Sequence, residues 1–305
     1  MTIEFTDQVA IVTGAGGGLG RSHAIALAAR GAKVVVNDLG GGVDGSGGSS
    51  AASEEVVALI KANGGEAMAH GANVANYDEV DDMVQQALSQ WGRVDVLVNN
   101  AGILRDKSFA KMTLDDFKLV LDVHLMGSVH CCKAVWEAMR TQGYGRIMMT
   151  TSSSGLYGNF GQANYGAAKM AVVGLMNTLA IEGAKYNIKV NSLAPSAATR
   201  MTESLFPPET IATLTAEAVT AGALALLHKE SPSNYILCAG AGGYSSTRIF
   251  ETDGIYLGAD QQSPEAVMAQ MDAINNLDGQ QAYDSGFMQP EKFLGKAMAY
   301  LKANP

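Results

Sequence analysis

The chain has 305 residues, of which 47% are hydrophobic and 17% charged, and this mixture can bury a sizeable core and excludes a disordered protein. The formal charge of -9 excludes a general nucleic-acid binder, because such a protein needs a basic face for phosphates. Three cysteines without zinc-ligand spacing indicate neither a disulfide framework nor a metal site. The first residues lack an apolar signal segment, and no run approaches about 18 apolar residues. We therefore expect a cytoplasmic protein that does not enter a membrane.

Short apolar runs alternate with longer helix-like segments, which is typical of a parallel sheet wound with crossover helices. Seven strands are predicted, at residues 8–13, 33–37, 67–71, 94–99, 146–152, 188–194 and 234–240. Helices are predicted at residues 20–30, 51–62, 78–90, 113–140 and 162–186. The alternation stops near residue 241, and further helices are predicted near 263–273 and 290–302. The pattern predicts a doubly wound α/β domain over residues 1–240 and a helical C-terminal lobe over 241–305.

A glycine-rich turn follows the first strand and opens the first helix. Its sequence, TGAGGGLG, covers residues 13–20 and includes Gly14, Gly18, Leu19 and Gly20. Glycine permits a tight turn and lets backbone amides approach a pyrophosphate at a helix N-terminus, although a plain strand-to-helix turn can look the same. Asp38 follows the second strand, 18 residues after Gly20, where a carboxylate accepts from ribose hydroxyls and repels a 2′-phosphate. This spacing favours NAD over NADP.

Two further polar segments follow in chain order. The Gly- and Ser-rich stretch 39–53 is interpreted as a surface loop within the domain, and its glycines, Gly40 to Gly48, are expected to cover nothing catalytic. Asn99, Asn100, Ala101 and Gly102 end the fourth predicted strand, where ligands of such sheets bind. They are candidates for lining a cofactor cleft, and a bare turn is the alternative.

Ser152, Tyr165 and Lys169 form the third constellation. Tyr165 and Lys169 stand at positions i and i+4 of one predicted helix, so the ammonium can lie near the phenol. An adjacent cation stabilises phenolate and lowers the pKa of a tyrosine from about 10, as a general base requires. Ser152, at the end of the fifth predicted strand, can bind the same substrate oxygen. A Tyr–Lys pair alone is common on helices, but the three residues together predict catalysis.

In these motifs and their order, the sequence resembles the short-chain dehydrogenase/reductase family. Stretches such as VVVNDLGGG (34–42), YGNFGQANYGAAK (157–169) and TRMT (199–202) are similar to the (3R)-hydroxyacyl-CoA dehydrogenase units of type 2 peroxisomal multifunctional enzymes. The resemblance implies a Rossmann-like fold and an NAD-dependent oxidoreductase. It assigns acid/base catalysis to Tyr165, lowering of its pKa and contact with the nicotinamide ribose to Lys169, and orientation of the reacting oxygen to Ser152.

The chain departs from the usual family pattern at three places. His124 stands where most members have an asparagine that supports a proton relay, so it could hold a relay water or only a backbone carbonyl. Asn73 and Val74 stand where many relatives have Asp-Val beside the adenine. Pro195-Ser196 replaces the usual Pro-Gly, and Pro195 is expected to shape the nicotinamide pocket.

The substrate stays open between several classes. A (3R)-3-hydroxyacyl-CoA is the first expectation, with Arg105, Lys107 and Lys111 as candidate contacts for its anionic groups. A 17β-hydroxysteroid and a 3-oxoacyl carrier protein are the alternatives, and a non-catalytic NAD-binding sensor or scaffold is a further one. The resemblance also implies a homodimer, or a tetramer, paired through the helices at 124–140 and 162–186, and a C-terminal lobe that closes the active site across the dimer.

Overall fold

The computed structural model describes residues 2–198 and 207–304, so the TRMT run at 199–202 lies outside the described residues. The chain divides into two compact units, residues 1–246 and 247–305. The first unit contains every residue that the sequence nominates for binding or catalysis. The predicted boundary between residues 240 and 241 falls inside this unit, just before its last strand.

The first unit alternates strands and helices from its beginning. Its strands are β1 Val9–Thr13, β2 Lys33–Asn37, β3 Glu66–His70, β4 Val96–Asn99, β5 Gly145–Thr150, β6 Ile188–Ser196, β7 Ile236–Gly240 and β8 Gly243–Thr247. Its helices are α1 Gly18–Ala28, α2 Ala51–Ala62, α3 Tyr77–Trp91, α4 Leu114–Leu121, α5 Gly127–Gln142, α6 Ser153–Tyr157, α7 Ala163–Gly183, α8 Pro208–Ile211 and α9 Ala216–Leu227. A π-helical turn, Asp122–Met126, joins α4 to α5.

The strands form one sheet in the order β3-β2-β1-β4-β5-β6-β7-β8. The pairs from β3 to β7 are parallel. The sheet has eight strands rather than the predicted seven, because β8 returns along β7 after a turn at Ala241 and Gly242. Both turn residues have positive φ, as tight two-residue hairpins require. The strand order reverses between β1 and β4, so the carboxyl ends of these two strands border a crevice.

Helices cover both faces of the sheet, as a doubly wound fold requires. Val34 and Val36 of β2 pack into one buried cluster with α1, α2 and α9, whereas Val35 points into the opposite cluster with α3, α5 and α7. Each strand between these layers must therefore be apolar on both sides. The predicted doubly wound α/β fold is confirmed, and the two layers hold the carboxyl ends of β1, β4 and β5 in fixed positions.

The second unit has three helices and little core. They are α10 Pro264–Ala269, α11 Met271–Ile274 and α12 Met288–Ala303. Among the described residues of this unit only Gly258 is buried. The α12 lysines instead bind the start of the unit: Lys292 pairs with Glu251 and donates to the Thr252 carbonyl at 2.9 Å, and Lys296 pairs with Asp253 at 2.7 Å. Ion pairs, more than buried apolar area, organise this unit.

The described residues contain neither a metal-binding cluster nor a membrane-spanning helix. No group of three or more His, Cys, Asp or Glu side chains is arranged to hold a metal ion in residues 2–198 and 207–304. In the same residues, no helix is long and apolar enough to cross a membrane. The thiols of Cys131 and Cys132 are buried, and burial raises the pKa of Cys132 to about 12. A buried thiol with a raised pKa is a poor nucleophile.

Candidate functional site

The turn between β1 and α1 leaves no room for side chains. A Cβ atom at Gly14 would lie 2.8 Å from the Cα of Ala101, and one at Gly20 would lie 2.1 Å from the Gly14 carbonyl oxygen. The Asn100 side chain donates to the carbonyls of Thr13 and Gly14 at 2.9 and 3.1 Å. The Thr13 hydroxyl accepts from the backbone amides of Asn100 and Ala101 at 3.0 and 3.1 Å. The segment after β4 thus fixes the glycine turn at the switch point of the sheet.

Asp38 and the start of α1 have complementary chemistry. One Asp38 carboxylate oxygen accepts from the Gly16 amide at 2.7 Å, and the other accepts from the Gly40 amide at 2.6 Å. The N-cap residue of α1, Gly17, makes no side-chain cap, and no acidic side chain lies in the first turn. The first amides of this helix therefore suit the phosphates of a dinucleotide. The carboxylate keeps lone pairs that suit ribose hydroxyls.

A cavity runs along this edge of the sheet. Its lining includes nine of the predicted binding residues, namely Gly14, Gly18, Leu19, Asp38, Asn73, Val74, Asn100, Ala101 and Gly102. The other predicted binding residues, Gly20, Tyr165, Lys169 and Pro195, are not among the lining residues. Gly20 is buried behind the turn, and Pro195 pairs with Ala239 in the sheet.

The remaining lining residues were missed by sequence reasoning. Most of them come from the loop after β2 and from the segments around β4 and α4, namely Leu39, Gly41, Gly42, Val43, Gly45, Ile103, Leu119 and Val123, and the others are Gly17, Asn37, Ala72 and Ala75. The loop forms a wall of the cavity, whereas the expectation that Gly40 to Gly48 cover nothing catalytic stays a prediction, because Ser152, Tyr165 and Lys169 do not line this cavity. The loop reaches the cavity only through the tertiary fold, and no local pattern in a Gly- and Ser-rich stretch predicts this placement.

Asn73 and Val74 lie in the loop between β3 and α3. The Asn73 side chain accepts from the Ala75 amide at 3.0 Å, which holds the loop in a tight turn. Val74 packs so closely on Gly127 of α5 that a Cβ atom there would lie 2.7 Å from Val74 Cγ2. The two residues thus reach the cavity from a braced loop.

Ser152, Tyr165 and Lys169 meet where β5 ends and α7 begins. Ser152 caps α6 and accepts from the Ser154 amide at 3.2 Å. Lys169 is buried, and its ammonium donates to the Thr150 carbonyl at 2.6 Å and lies 5.5 Å from the Tyr165 ring centroid. Tyr165 packs in one apolar cluster with cavity-lining residues, which are Ile103, Leu119 and Val123. None of the three side chains lines the cavity, but Tyr165 packs against residues that do.

Burial controls the acid–base properties of this group. It raises the pKa of Tyr165 above its ordinary value, and a hydrogen bond with Ser152 opposes the rise. It also lowers the pKa of Lys169 to about 7. Burial therefore opposes the lowering of the Tyr165 pKa that is expected from Lys169. The physical reason is desolvation, which disfavours the phenolate and the ammonium alike.

His124 lies on the π-helical turn and contacts Tyr165. Its ring meets the Tyr165 ring edge to face with centroids 5.1 Å apart. Nε2 lies 2.8 Å from the Ile103 carbonyl oxygen and 3.1 Å from the Ile103 amide nitrogen, and Nδ1 is buried without a partner in the described residues. Burial, followed by the positive charge of Lys169, lowers the pKa of His124 well below its ordinary value. A neutral imidazole therefore holds the Ile103 peptide, as one of the two expected roles requires.

Two of the three basic residues that are expected to bind anionic groups of the substrate form ion pairs within the chain. Arg105 and Lys107 both bind the largely buried carboxylate of Asp116, at 3.1 and 3.2 Å. A hydrogen bond with Thr113, followed by the contacts with Lys107 and Arg105, holds the pKa of Asp116 below its ordinary value. Lys111 makes no ion pair with any described residue. The first two cations thus brace α4, and the sequence could not show that their partner lies nine to eleven positions downstream.

Comparison with known families decides the family. The model of the short chain dehydrogenase family matches residues 8–210. The chain belongs to the short-chain dehydrogenase family. Members of this family generally bind NAD or NADP, and the glycine turn, the amides at the start of α1 and Asp38 fit such a dinucleotide in this chain. The sensor or scaffold alternative is not retained, because the family and its named relatives are oxidoreductases.

Two curated relatives of this short-chain dehydrogenase illustrate its range. The peroxisomal hydratase-dehydrogenase-epimerase of Saccharomyces cerevisiae is 50% identical over 273 residues, which cover 87% of this chain and 30% of that protein. A 3-oxoacyl-[acyl-carrier-protein] reductase of Synechocystis is 51% identical over 201 residues, or 66% of this chain and 78% of that protein. The chain thus spans less than a third of the multifunctional yeast relative.

Two solved structures are similar to this short-chain dehydrogenase over most of its length. Full-length peroxisomal multifunctional enzyme type 2 from Drosophila melanogaster aligns with a TM-score of 0.81 and 34% identity, over 98% of this chain and 50% of that one. A 7α-hydroxysteroid dehydrogenase complexed with NADH and 7-oxo glycochenodeoxycholic acid aligns with a TM-score of 0.71 and 30% identity, over 79% of this chain and 96% of that one.

Proposed function

We propose that the protein is an NAD-dependent dehydrogenase that oxidises the 3-hydroxyl of a (3R)-3-hydroxyacyl-CoA. The observation that carries the proposal is the meeting of Ser152, Tyr165 and Lys169 beside a cavity whose other end holds Asp38. A hydroxyl donor, a phenol and a buried ammonium at one point can bind and deprotonate an alcohol. The dinucleotide, when bound, supplies the acceptor for the two electrons that leave the alcohol carbon as hydride.

In the forward direction, Ser152 holds the substrate hydroxyl and Tyr165 takes its proton. The C–H bond breaks as a hydride and the O–H bond gives up a proton, so the products are a ketone, a reduced dinucleotide and one proton. Lys169 supports the deprotonated phenol with its positive charge, and His124 holds the Ile103 peptide and the edge of the Tyr165 ring. His124 remains a proposed catalytic residue through a contact of Nδ1 with a relay water.

The choice of NAD rests on Asp38. Its carboxylate is fixed by the Gly16 and Gly40 amides at the place where the adenosine ribose of a dinucleotide would lie. A 2′-phosphate there would meet a fixed negative charge, whereas ribose hydroxyls can donate to it. The NADH-bound 7α-hydroxysteroid dehydrogenase supports this choice.

The acyl-CoA choice rests on likeness. The yeast and Drosophila proteins support it, since both align along most of this chain. A hydroxysteroid and a 3-oxoacyl carrier protein remain the second candidates, because a structure and a relative with those names also match. The yeast and Drosophila proteins are named peroxisomal, so the cytoplasmic location expected for this chain stays a prediction.

We also propose a homodimer built on α5 and α7. Exposed apolar side chains on α7, Met170 and Ile181, support such a pairing, because they would leave water at an interface. Light scattering is expected to give twice the chain mass, and four times that mass would indicate a tetramer.

A substrate panel tests the proposed activity. The protein is given the (3R) and (3S) isomers of a 3-hydroxyacyl-CoA, a 17β-hydroxysteroid and a 3-oxoacyl carrier protein, each with the NAD and the NADP couple. We expect the highest kcat/KM for the (3R) isomer with NAD. A higher kcat/KM for the steroid or for the carrier protein would replace this substrate assignment.

A further inference from the structure

The loop after β2 is a folded unit rather than a linker. Within residues 39–49, here termed the strap, the Gly42 amide donates to the Ser46 carbonyl at 2.7 Å and the Ser49 amide donates to the Leu39 carbonyl at 2.9 Å. Gly40 has φ of +73°, and a Cβ atom there would lie 1.8 Å from the Ser49 carbonyl oxygen. Glycine is required at this position for the strap to close on itself.

The strap is fastened to the segment that follows β4. The Leu104 amide donates to the Val43 carbonyl at 2.9 Å, and Arg105 Nε donates to the Asp44 carbonyl at 2.7 Å. A Cβ atom at Gly45 would lie 3.2 Å from the Ile103 side chain, so backbone and side chain touch there. Three successive residues after β4 therefore each hold the strap.

One side of the strap faces the dinucleotide cavity. Five of its residues line the cavity together with residues of the glycine turn, namely Leu39, Gly41, Gly42, Val43 and Gly45. The strap also begins directly after Asp38 and donates to that carboxylate through the Gly40 amide. A ligand that fills the cavity must touch the strap, and the strap must keep its place for the cavity to keep its shape.

We infer that the strap is a wall of the dinucleotide site and that Arg105 latches it through the Asp44 carbonyl. Arg105 is the only one of the three fastening residues that binds the strap through a side-chain hydrogen bond, and Asp116 orients it with an ion pair at 3.1 Å. Loss of the latch therefore loosens the wall without changing any residue that lines the cavity. Faster release of the dinucleotide follows. The inference rests on the dinucleotide part of the proposed function and not on the substrate.

The test compares Arg105→Ala with Lys107→Ala in the full chain without substrate. Both variants remove one cation from Asp116, but only Arg105 binds the strap, so Lys107→Ala is the matched control. Stopped-flow fluorescence gives the release rate of NADH, and NADPH is measured in parallel. We expect release about tenfold faster in Arg105→Ala, as loss of one charge-assisted hydrogen bond implies, and within twofold of the parent in Lys107→Ala. Equal rates in the two variants would overturn the latch.

Hydrogen exchange gives a second readout that does not depend on a variant. Saturation of the parent protein with NADH is expected to slow amide exchange within residues 39–49 relative to the free protein. Unchanged exchange in this segment would overturn the wall. If only NADPH binds the parent, the proposed NAD preference fails while the strap is still judged with NADPH; if neither binds, both fail. A negative substrate panel alone leaves the strap result intact.

Discussion

Buried charged groups at the two ends of the sheet differ in how completely they are hydrogen-bonded. At the amino end, Arg146 is 2% exposed and donates to the carbonyls of Gly145, Asn187 and Lys229 at 2.7 to 2.8 Å. At the carboxyl end, Lys169 is 4% exposed, and the only hydrogen bond of its ammonium to the described residues goes to the Thr150 carbonyl at 2.6 Å.

A second buried charge at the amino end is also fully bonded. Buried Asp95 accepts from the Val9 amide and from two Arg93 nitrogens at 2.6 to 2.9 Å. Uncharged buried atoms without a partner among the described residues occur at both ends, Gln8 Oε1 and Ser231 Oγ at the amino end and His124 Nδ1 and Thr150 Oγ1 at the carboxyl end, so the contrast lies in the charged groups. Fully bonded charge stabilises a fold, whereas incompletely bonded charge retains capacity for a ligand. The amino end thus serves stability and the carboxyl end serves chemistry.

The largest effect is expected at the carboxyl end. Tyr165→Phe removes one hydroxyl and should lower kcat/KM by about 10³ or more, because no other group is placed to take the proton. The melting temperature and the NADH dissociation constant should stay near those of the parent. Steady-state kinetics and a NADH titration measure these quantities, and wild-type turnover would remove Tyr165 from the mechanism.

For Arg146→Met at the amino end, we expect a loss of stability without a loss of turnover. Four backbone carbonyls, those of Gly145, Asn187, His228 and Lys229, lose a donor, so the free energy of unfolding should fall by about 3–5 kcal/mol. Urea unfolding measures this change. The folded variant should keep the parent kcat/KM at low temperature, and a specific loss of turnover would contradict the division between the two ends.

His23 is an example of a buried side chain that has an atom without a hydrogen-bond partner and yet lies outside the functional site. Its Nε2 is buried without a partner in the described residues, but Nδ1 binds Thr220 at 2.8 Å between α1 and α9, outside the cavity lining. Burial lowers its pKa to about 4, so below about pH 6.5 the unfolded chain binds the proton first and stability falls until about pH 4.

Between pH 7 and pH 5, the lowered pKa of His23 should reduce the free energy of unfolding by about 2 kcal/mol. His23→Asn should therefore show a shallower fall in unfolding free energy over this range than the parent, with unchanged kcat/KM at pH 7. Parallel pH profiles of the two proteins would contradict this assignment.

The smallest effect is expected at the ribose end of the cavity. Asp38→Asn keeps one acceptor for the Gly16 amide but removes the negative charge that would repel a 2′-phosphate. The preference for NADH over NADPH, taken as the ratio of dissociation constants, should fall by about tenfold. An unchanged ratio would show that something other than this charge selects the cofactor.

Local patterns were sufficient for most of the regular elements and for the motifs of the site. The helix predicted at 51–62 coincides with α2, and the residues of β2 are those predicted. The sequence did not indicate α9, because AEAVTAGALALL carries no clear apolar periodicity, or β8, which is short and exposed. Both elements are fixed by contacts with the rest of the first unit.

The site shows the same limit. The glycines, Asp38 and the Ser–Tyr–Lys spacing could be recognised as parts of the site from the sequence, since each reflects a local backbone or chemical requirement. The fastening of the strap by Arg105, the pairing of Lys107 with Asp116 and the raised pKa of Tyr165 depend on burial and distant neighbours. No local pattern in a single sequence carries that information.

The division between the two ends of the sheet is tested by NADH formation from (3R)-3-hydroxyacyl-CoA with the parent, Tyr165→Phe and Arg146→Met side by side, and by unfolding curves for all three. We expect loss of turnover with parent stability in Tyr165→Phe, and loss of stability with parent turnover in folded Arg146→Met. Substantial turnover by Tyr165→Phe, or an inactive but fully stable Arg146→Met, would overturn this division.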